Sequence, residues 1–163
     1  MRGSEASDND NAHAVAHAQF TIVRHYAAAP AWVFAAWADP AIRQRWFVAA
    51  DDWEIADYRH DFRVGGCERG RFRRIAGDPF YDYETHYLDI VAPRRIVTAY
   101  AMARDGVRIS ASLLTVQFDA DGSRTRLSLT EQGAFLDRQD SSPAREQGWQ
   151  QLLAALGREF GEA

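Results

Sequence analysis

LSLTEQGAFLDRQDSSPAREQGW, residues 127–149, is the stretch that decides how the rest of this chain is interpreted. Its first part alternates, so that Leu129 and Glu131 share one face of a predicted strand. Its second part predicts a helix that begins near Pro143 and carries Trp149. An acidic side chain on the apolar face of a strand is costly to bury without a partner. The stretch therefore predicts either a carboxylate at the rim of the sheet or one that serves an interior cavity.

The composition indicates one globular domain. The chain has 163 residues, of which 47% are apolar and 12% are aromatic, enough to form a core. We expect residues 1–17, which are polar, to form a disordered tail before a domain over residues 18–163. A single cysteine, Cys67, excludes an intramolecular disulfide and fits a reducing compartment. No apolar run is long enough for a membrane helix, and no secretory signal is recognisable, so the expected location is cytoplasmic with no membrane partner.

The basic residues exclude several kinds of chemistry. All 19 are arginine, and without lysine there is no Schiff base, no pyridoxal anchor and no Walker P-loop. The net charge of −4 gives no general attraction to nucleic acid. His13 and His17 are spaced like metal ligands on a helix but have no third ligand in the pattern. We therefore expect neither a metal nor another cofactor.

Hydrophobic periodicity and turn residues predict the order β–α–α, then five or six strands, then a long helix. The predicted strands cover residues 19–27, 53–60, 67–75, 80–91, 94–103, 107–118 and 125–133. The predicted helices cover residues 30–39, 40–47 and 143–160, with Asp39 as the cap of the second. This order favours an α+β fold, in which a curved antiparallel sheet wraps around the C-terminal helix and leaves a cavity between them.

Short motifs in this order resemble the Hsp90-ATPase-activator-homologue (AHSA1-like) group of the START/polyketide-cyclase/Bet v 1 (SRPBCC) superfamily. They are APAWVFAAW at 29–37, DP at 39–40, RW at 45–46, VGG at 64–66, YLDI at 87–90, PRRIV at 93–97, TVQF at 115–118, TRLSLTEQG at 125–133 and GW at 148–149. The resemblance covers about residues 19–160. It implies a helix-grip fold over a hydrophobic cavity, and it carries no fixed catalytic set. Its members include co-chaperone domains, lipid and hormone carriers, and aromatase/cyclases.

Strand parity and helix faces indicate which residues would contact a ligand, although no catalytic residue is assigned. The predicted ligand-binding residues are Trp46, Phe47, Tyr83, His86, Tyr100, Met102, Glu131, Trp149 and Leu153. Two points stay open at this stage. Glu131 either faces the cavity or pairs at the rim with an arginine such as Arg24 or Arg63, and the strand at 80–91 turns either its tyrosines or His86 inward.

Three arginines, at 69, 71 and 73, share one face of their predicted strand. Asp82 and Glu84 can face them across the next hairpin, so we expect cross-strand ion pairs on a solvated face rather than a nucleic-acid patch.

The first functional hypothesis is the binding of a small hydrophobic or aromatic molecule between sheet and long helix. It predicts a cavity larger than about 300 Å³ with few polar groups. The second is an enzyme, a cyclase, dehydratase or hydrolase that uses Glu131 or His86. The third is an Hsp90 co-chaperone-like interaction domain, which would have a filled interior and an exposed apolar patch. The expected partner is a small hydrophobic ligand and not nucleic acid, and a homodimer is left open.

Overall fold

The structure is a computed structural model that describes residues 13–48 and 52–162. The described residues form seven strands and a few helices. The strands are β1 (Val15–Tyr26), β2 (Glu54–His60), β3 (Cys67–Arg73), β4 (Tyr81–Val91), β5 (Arg95–Arg104), β6 (Val107–Asp121) and β7 (Arg124–Leu136). The helices are α1 (Pro30–Ala38), α2 (Pro40–Arg43), which continues as a π-helical turn (Gln44–Val48), and α3 (Ser142–Arg158). Within the described residues, no helix is both long and apolar enough to cross a membrane.

The strands form one antiparallel sheet in the order β1-β7-β6-β5-β4-β3-β2. Strands β2 to β7 are a meander, and the Asp105-Gly106 turn joins β5 to β6 with positive φ at both residues, 46° and 79°, as the sequence predicts. The first strand then pairs with the last, which sets Phe20 opposite Glu131. The predicted α+β helix-grip fold is confirmed, with the sheet curved around α3.

Local chemistry sets the helix boundaries on the cavity side of the sheet. Asp39 caps α2, because its Oδ1 accepts a hydrogen bond of 3.0 Å from the backbone N–H of Ile42. The π-helical turn that follows contains Trp46, whose Nε1 donates to the Ala36 carbonyl at 2.8 Å. This bond fixes the π-helical turn against α1, so aromatic side chains from both segments face the sheet.

The long helix α3 buries one face against the sheet. Ser141 caps it by accepting from the Ala144 N–H at 3.3 Å. Leu153 is fully buried, and its carbonyl accepts a hydrogen bond of 2.8 Å from the Tyr26 hydroxyl of β1. This hydrogen bond attaches α3, through a residue inside the helix, to the edge strand β1.

The first strand begins earlier than the sequence analysis predicts. Residues 15–17 were expected in a disordered tail, but they belong to β1. The reason is that β7 extends to Leu136, and its backbone pairs with β1 back to Val15. Ala14, also in the predicted tail, accepts a hydrogen bond of 2.7 Å from the Asp137 N–H through its carbonyl. Residues 1–12 of the predicted tail lie outside the described residues.

The outer face of β3 carries the expected ion pairs. Arg69 Nε lies 3.0 Å from Glu84 and Arg71 Nη1 lies 3.9 Å from Asp82, both at exposed positions. The prediction of cross-strand pairing is confirmed. It also fixes the parity of β3, because Glu68 and Gly70 must then point into the concave side of the sheet.

Candidate functional site

A cavity of about 800 Å³ lies between the concave face of the sheet and the helices. The sheet side includes Tyr83, Thr85, Tyr87, Thr98, Tyr100 and Met102, and the helical side includes Trp37, Arg43, Trp46, Phe47, Arg145 and Trp149. The aromatic rings of the helical side contact one another, since Trp37 stacks on Trp149 with centroids 6.2 Å apart. The volume is in the range typical of small-molecule sites.

The tyrosines of β4 face the cavity, which settles the open choice of face. Tyr83 and Tyr87 are 8% and 4% exposed and line the cavity. His86 lies on the outer face, with its side chain 54% exposed and its Nε2 2.7 Å from Glu84. The prediction that His86 contacts a ligand in the cavity is therefore wrong, because its side chain lies on the solvated, charged outer face.

Glu131 is fully buried and accepts three side-chain hydrogen bonds. Ser112 Oγ donates at 2.7 Å and Arg145 Nη1 at 2.9 Å to one oxygen, and Trp149 Nε1 donates at 2.8 Å to the other. The rim alternative, with Arg24 or Arg63 as partner, is therefore wrong. The carboxylate lies behind the cavity wall and holds α3 against β6 and β7.

Arg145 joins this carboxylate to the cavity. Its Nη1 also donates to the Tyr100 hydroxyl at 2.6 Å, and its Nη2 donates to Ser110 Oγ at 2.6 Å and to the Asp140 carboxylate. Burial on its own would lower the pKa of Arg145, but Tyr100, Glu131 and Asp140 outweigh it and the pKa is raised. Arg145 is thus a fixed positive charge.

A second buried ion pair lies across the cavity, between Arg43 and Glu68. Arg43 Nε and Nη2 each donate to one oxygen of Glu68 at 3.0 Å, the bidentate geometry that favours strong pairing. Tyr58 donates a further hydrogen bond of 3.0 Å to Glu68. The guanidinium also lies 3.5 Å from the ring centroid of Phe47 and 4.7 Å from that of Trp46. Glu68, Trp46 and Phe47 therefore fix the position of the Arg43 guanidinium.

A row of polar side chains on the concave face connects the two ion pairs. Neighbouring strands pair Glu68 with Thr85, Thr85 with Tyr100, and Tyr100 with Ser112, whose hydroxyl reaches Glu131. A polar band therefore crosses the concave face of the sheet, between apolar cavity residues such as Ile96 and Leu114.

His60 extends the Arg43–Glu68 cluster at the side of Tyr87. Its Nε2 lies 3.0 Å from the Tyr87 hydroxyl and 3.8 Å from Glu68. Burial lowers the pKa of His60, and the negative charge of Glu68 offsets only part of this effect. The imidazole is consequently neutral at pH 7, so it adds no positive charge to the cluster.

Several buried polar atoms of the cavity wall have no protein partner among the described residues. They are Arg43 Nη1, Trp37 Nε1, Tyr83 Oη and Thr98 Oγ1. Burial and the nearby Glu68 raise the pKa of Tyr83, so its hydroxyl keeps its proton and can donate. Buried polar groups in proteins almost always have a partner, so these four atoms are exceptions, and almost none of their surface is accessible to water.

The predicted ligand-binding residues divide into two groups. Those that line the cavity are Trp46, Phe47, Tyr83, Tyr100, Met102 and Trp149. Glu131 and Leu153 are fully buried behind the wall, and His86 is on the opposite face. For the residues that line the cavity, contact with a ligand stays a prediction.

The comparisons with known proteins agree with this architecture. The profile of the family described as "Activator of Hsp90 ATPase homolog 1-like protein" matches residues 27–161. A protein of Rhizobium loti is similar at 46% identity and a TM-score of 0.84, over 90% of this chain and 99% of that one. A protein of Rhizobium leguminosarum is similar at 39% identity and a TM-score of 0.86, over 91% and 97%.

The chain belongs to the Hsp90-activator-homologue-like family. An AHSA1-like protein of Aeromonas hydrophila shares the fold, at 23% identity and a TM-score of 0.64 over 86% of this chain and 90% of that one. No protein of curated function matches the chain. The predicted resemblance to the AHSA1-like group is thus confirmed.

In this AHSA1-like domain, the sequence analysis did not find Arg43, Glu68 or Arg145. Glu68 and Arg145 each carried a usable signal in the sequence. Glu68 has the parity opposite to the arginines of β3, like a second Glu131, and Arg145 precedes Trp149 by one helical turn. A charged residue in register with a buried face is a candidate for a buried pair. Within residues 13–48 and 52–162, no group of three His, Cys, Asp or Glu side chains could hold a metal ion.

Proposed function

We propose that this domain binds a small hydrophobic or aromatic molecule in the cavity between the sheet and α3. Membership of the family supports a ligand-binding domain in general. The observation that carries the specific proposal is the cavity of about 800 Å³, whose wall is rich in aromatic side chains. A filled core would not contain a space of this size.

Gly148 adds support from the helix side. A glycine in a helix interior costs about 0.5–1 kcal/mol relative to alanine. Gly148 lies on the cavity wall, and a Cβ added there would meet no described heavy atom within 4 Å apart from its chain neighbours and the backbone of its own helix. The glycine is thus not required by packing, and its effect is to leave space in the cavity.

The proposal predicts that filling this space blocks binding. The probe is N-phenyl-1-naphthylamine, an uncharged aromatic dye whose fluorescence rises in apolar surroundings. We expect Gly148→Phe to weaken dye binding by about tenfold or more, because the new ring occupies the cavity. The measurement is a fluorescence titration, with native mass spectrometry of the purified protein to detect a ligand that co-purifies.

Two control variants separate blocking from damage to the helix. Gly148→Ala adds one methyl group, and Gln147→Phe adds the same ring at an exposed position of α3. Both should bind the dye like the wild type. Equal dye affinity of Gly148→Phe and the wild type, with all variants folded by thermal melting, would show that the dye does not enter the cavity and would refute the proposal.

The other two hypotheses receive less support from the geometry. An enzyme that uses Glu131 or His86 would not have that residue in the cavity, because Glu131 already accepts three hydrogen bonds behind the wall and His86 lies on the outer face. A co-chaperone-like domain was expected to have a filled interior, whereas this one has a cavity.

A further inference from the structure

The first strand, β1, is an open edge of the sheet. It pairs with β7 along its whole length, Val15–Tyr26, and in the part of the chain that the structure describes it has no strand on its other side. Every second residue of such an edge strand directs its N–H and C=O away from the sheet. Among the described residues, no backbone group of β1 bonds to any element except β7. The edge therefore offers a row of free donors and acceptors to which another extended strand can pair.

The opposite edge of the sheet, β2, is protected against such pairing. It has seven residues, its register with β3 shifts between Ile55 and Asp57, and Glu54, Asp57 and Arg59 place charges along it. Short length, bulges and charges are the features by which natural proteins keep an edge strand from pairing with another chain. In contrast, the register of β1 with β7 is unbroken, and residues 15–23 include no proline, lysine, arginine or carboxylate.

Residues 15–23, VAHAQFTIV, have a pattern that is symmetric about Gln19. Val15 and Val23 lie four residues to either side of it on the outer face, where they are 54% and 40% exposed. In an antiparallel pair of two copies centred on Gln19, each Val15 lies beside Val23 of the second copy. On the inner face, the same register sets each Ala18 beside Phe20 of the second copy, a small side chain beside a large one. Centred one residue to either side, the pair would set each valine beside a histidine or a threonine.

The charge of this surface favours a second copy over an unlike partner. The outward side chains of residues 15–23 and of the β7 residues paired with them include no carboxylate and no guanidinium; they are Val15, His17, Gln19, Thr21, Val23, Ser128, Thr130, Gln132, Ala134 and Leu136. Two copies can therefore approach without repulsion between acidic or guanidinium groups, whereas a strongly charged partner would find no counter-charge here.

We propose that two copies of this chain pair antiparallel along β1, about a two-fold axis at Gln19, so that their sheets become continuous. Such an interface is isologous, because each contact occurs twice by symmetry. Nine residue pairs span only about 30 Å, which is small for a stable dimer, so the copies should exchange between monomer and dimer. The inference is independent of the proposed function, since none of residues 15–23 lines the cavity between the sheet and α3.

The first test is the oligomeric state of the purified full chain. Sedimentation velocity at protein concentrations from about 1 to about 300 µM should show a reversible monomer–dimer equilibrium, with a dissociation constant on the order of 10 µM. A chain that stays monomeric over this range would overturn the proposal. That outcome includes the cases in which residues 1–12 or a different protein covers β1.

Two double variants test the register. Val15→Lys/Val23→Lys sets like charges side by side twice in the proposed dimer and should weaken dimerisation by at least about tenfold. Val15→Lys/Val23→Glu sets opposite charges at the same places and should dimerise at least as tightly as the wild type. Val107→Lys is the control, because it changes an exposed valine of β6 and should leave the equilibrium unchanged. If the two double variants dimerise alike, with both folded by thermal melting, the register is wrong.

A disulfide tests the position of the axis. In a Cys67→Ser background, Gln19→Cys places two thiols opposite each other, at a Cα separation of about 4.5–5.5 Å, within the range of a disulfide. Mild oxidation should convert most of this variant to a covalent dimer. Leu113→Cys in the same background is the control, because Leu113 pairs with Gln132, which pairs with Gln19. Its thiols would lie roughly 20 Å apart in the dimer. Failure of Gln19→Cys to cross-link, or equal cross-linking of both variants, would exclude the proposed axis.

Discussion

Arg43 and Arg145 each hold a carboxylate that solvent does not reach, and each stands between a helical segment and the sheet. A buried ion pair contributes little net stability compared with a well-packed apolar pair, but the loss of one partner is costly. At these two positions the charges therefore fix geometry: Arg145 sets the place of α3, and Arg43 sets that of the π-helical turn.

Arg145→Met should show this cost. The change leaves the buried Glu131 without its cation, and we expect a loss of about 3–5 kcal/mol in the free energy of unfolding, measured by urea denaturation. Arg69→Met, which breaks an exposed pair with Glu84, should cost less than about 1 kcal/mol. The double variant Glu131→Leu/Arg145→Met should be more stable than Arg145→Met. If Arg145→Met and Arg69→Met lose the same free energy of unfolding, Arg145 does not stabilise the buried Glu131 carboxylate.

His60 makes stability depend on pH in a definite direction. Its pKa in the folded protein lies below the ordinary value of 6.5, so the unfolded chain takes up the proton first as the pH falls. The stability that neutral His60 provides is complete above about pH 6.5 and is lost below it, as the pH approaches the lowered folded pKa.

We expect the melting temperature of the wild type to fall between pH 7.5 and 5.5 more steeply than that of His60→Gln. The contribution of one such group is at most about 1.4 kcal/mol per pH unit. His86→Gln, at an exposed position of the outer face, is the control for the loss of a histidine. Parallel curves for the wild type and His60→Gln would refute the assignment to His60.

At the scale of elements, the pairing of β3 with β4 shapes the cavity. Gly70 lies opposite Tyr83 in this pair, and a Cβ added at Gly70 would lie 2.1 Å from the Tyr83 ring. The ring therefore lies directly over the backbone of β3, and only glycine permits this. A larger residue in β3 would push Tyr83 towards the helices.

Gly70→Ala should accordingly destabilise the protein by roughly 1–3 kcal/mol, as measured by thermal or urea unfolding. It should also weaken binding of an aromatic probe, because Tyr83 moves into the cavity. Gly148→Ala, where the added methyl group meets open space, should be neutral or stabilising. A stable Gly70→Ala variant with unchanged probe affinity would show that Tyr83 can move without cost.

The elements themselves were predictable because period-two alternation and turn residues such as Asp105-Gly106 act locally. Which face of β4 is turned to the cavity was not predictable, since both faces have a consistent pattern and the choice depends on the neighbouring strands. The partner of Glu131 was not predictable either. Arg145 is 14 residues away beyond a loop, and only the packing of α3 brings it to the strand.

At the scale of the whole molecule, the sequence order and one resemblance were sufficient for the helix-grip architecture. They were not sufficient for the cavity's chemistry, which arises from pairs such as Arg43 and Glu68, 25 residues apart. Periodicity identifies the face on which each lies, but the pairing also needs the curvature of the sheet and the π-helical turn. The polar band therefore emerges only when the full sheet is formed.

The adjacency of β1 and β7 also has a consequence for how this chain folds. Thr21 and Thr130 bond each other across 109 residues of sequence, whereas the meander from β2 to β7 is built from local hairpins. Long-range pairs of this kind slow folding, because the entropy of loop closure precedes the gain from contact. During synthesis β1 leaves the ribosome first, yet its sheet partner follows roughly 5–20 s later at ordinary translation rates. The pairing of β1 with β7 can therefore form only after β7 has been synthesised, when the other strands are already present.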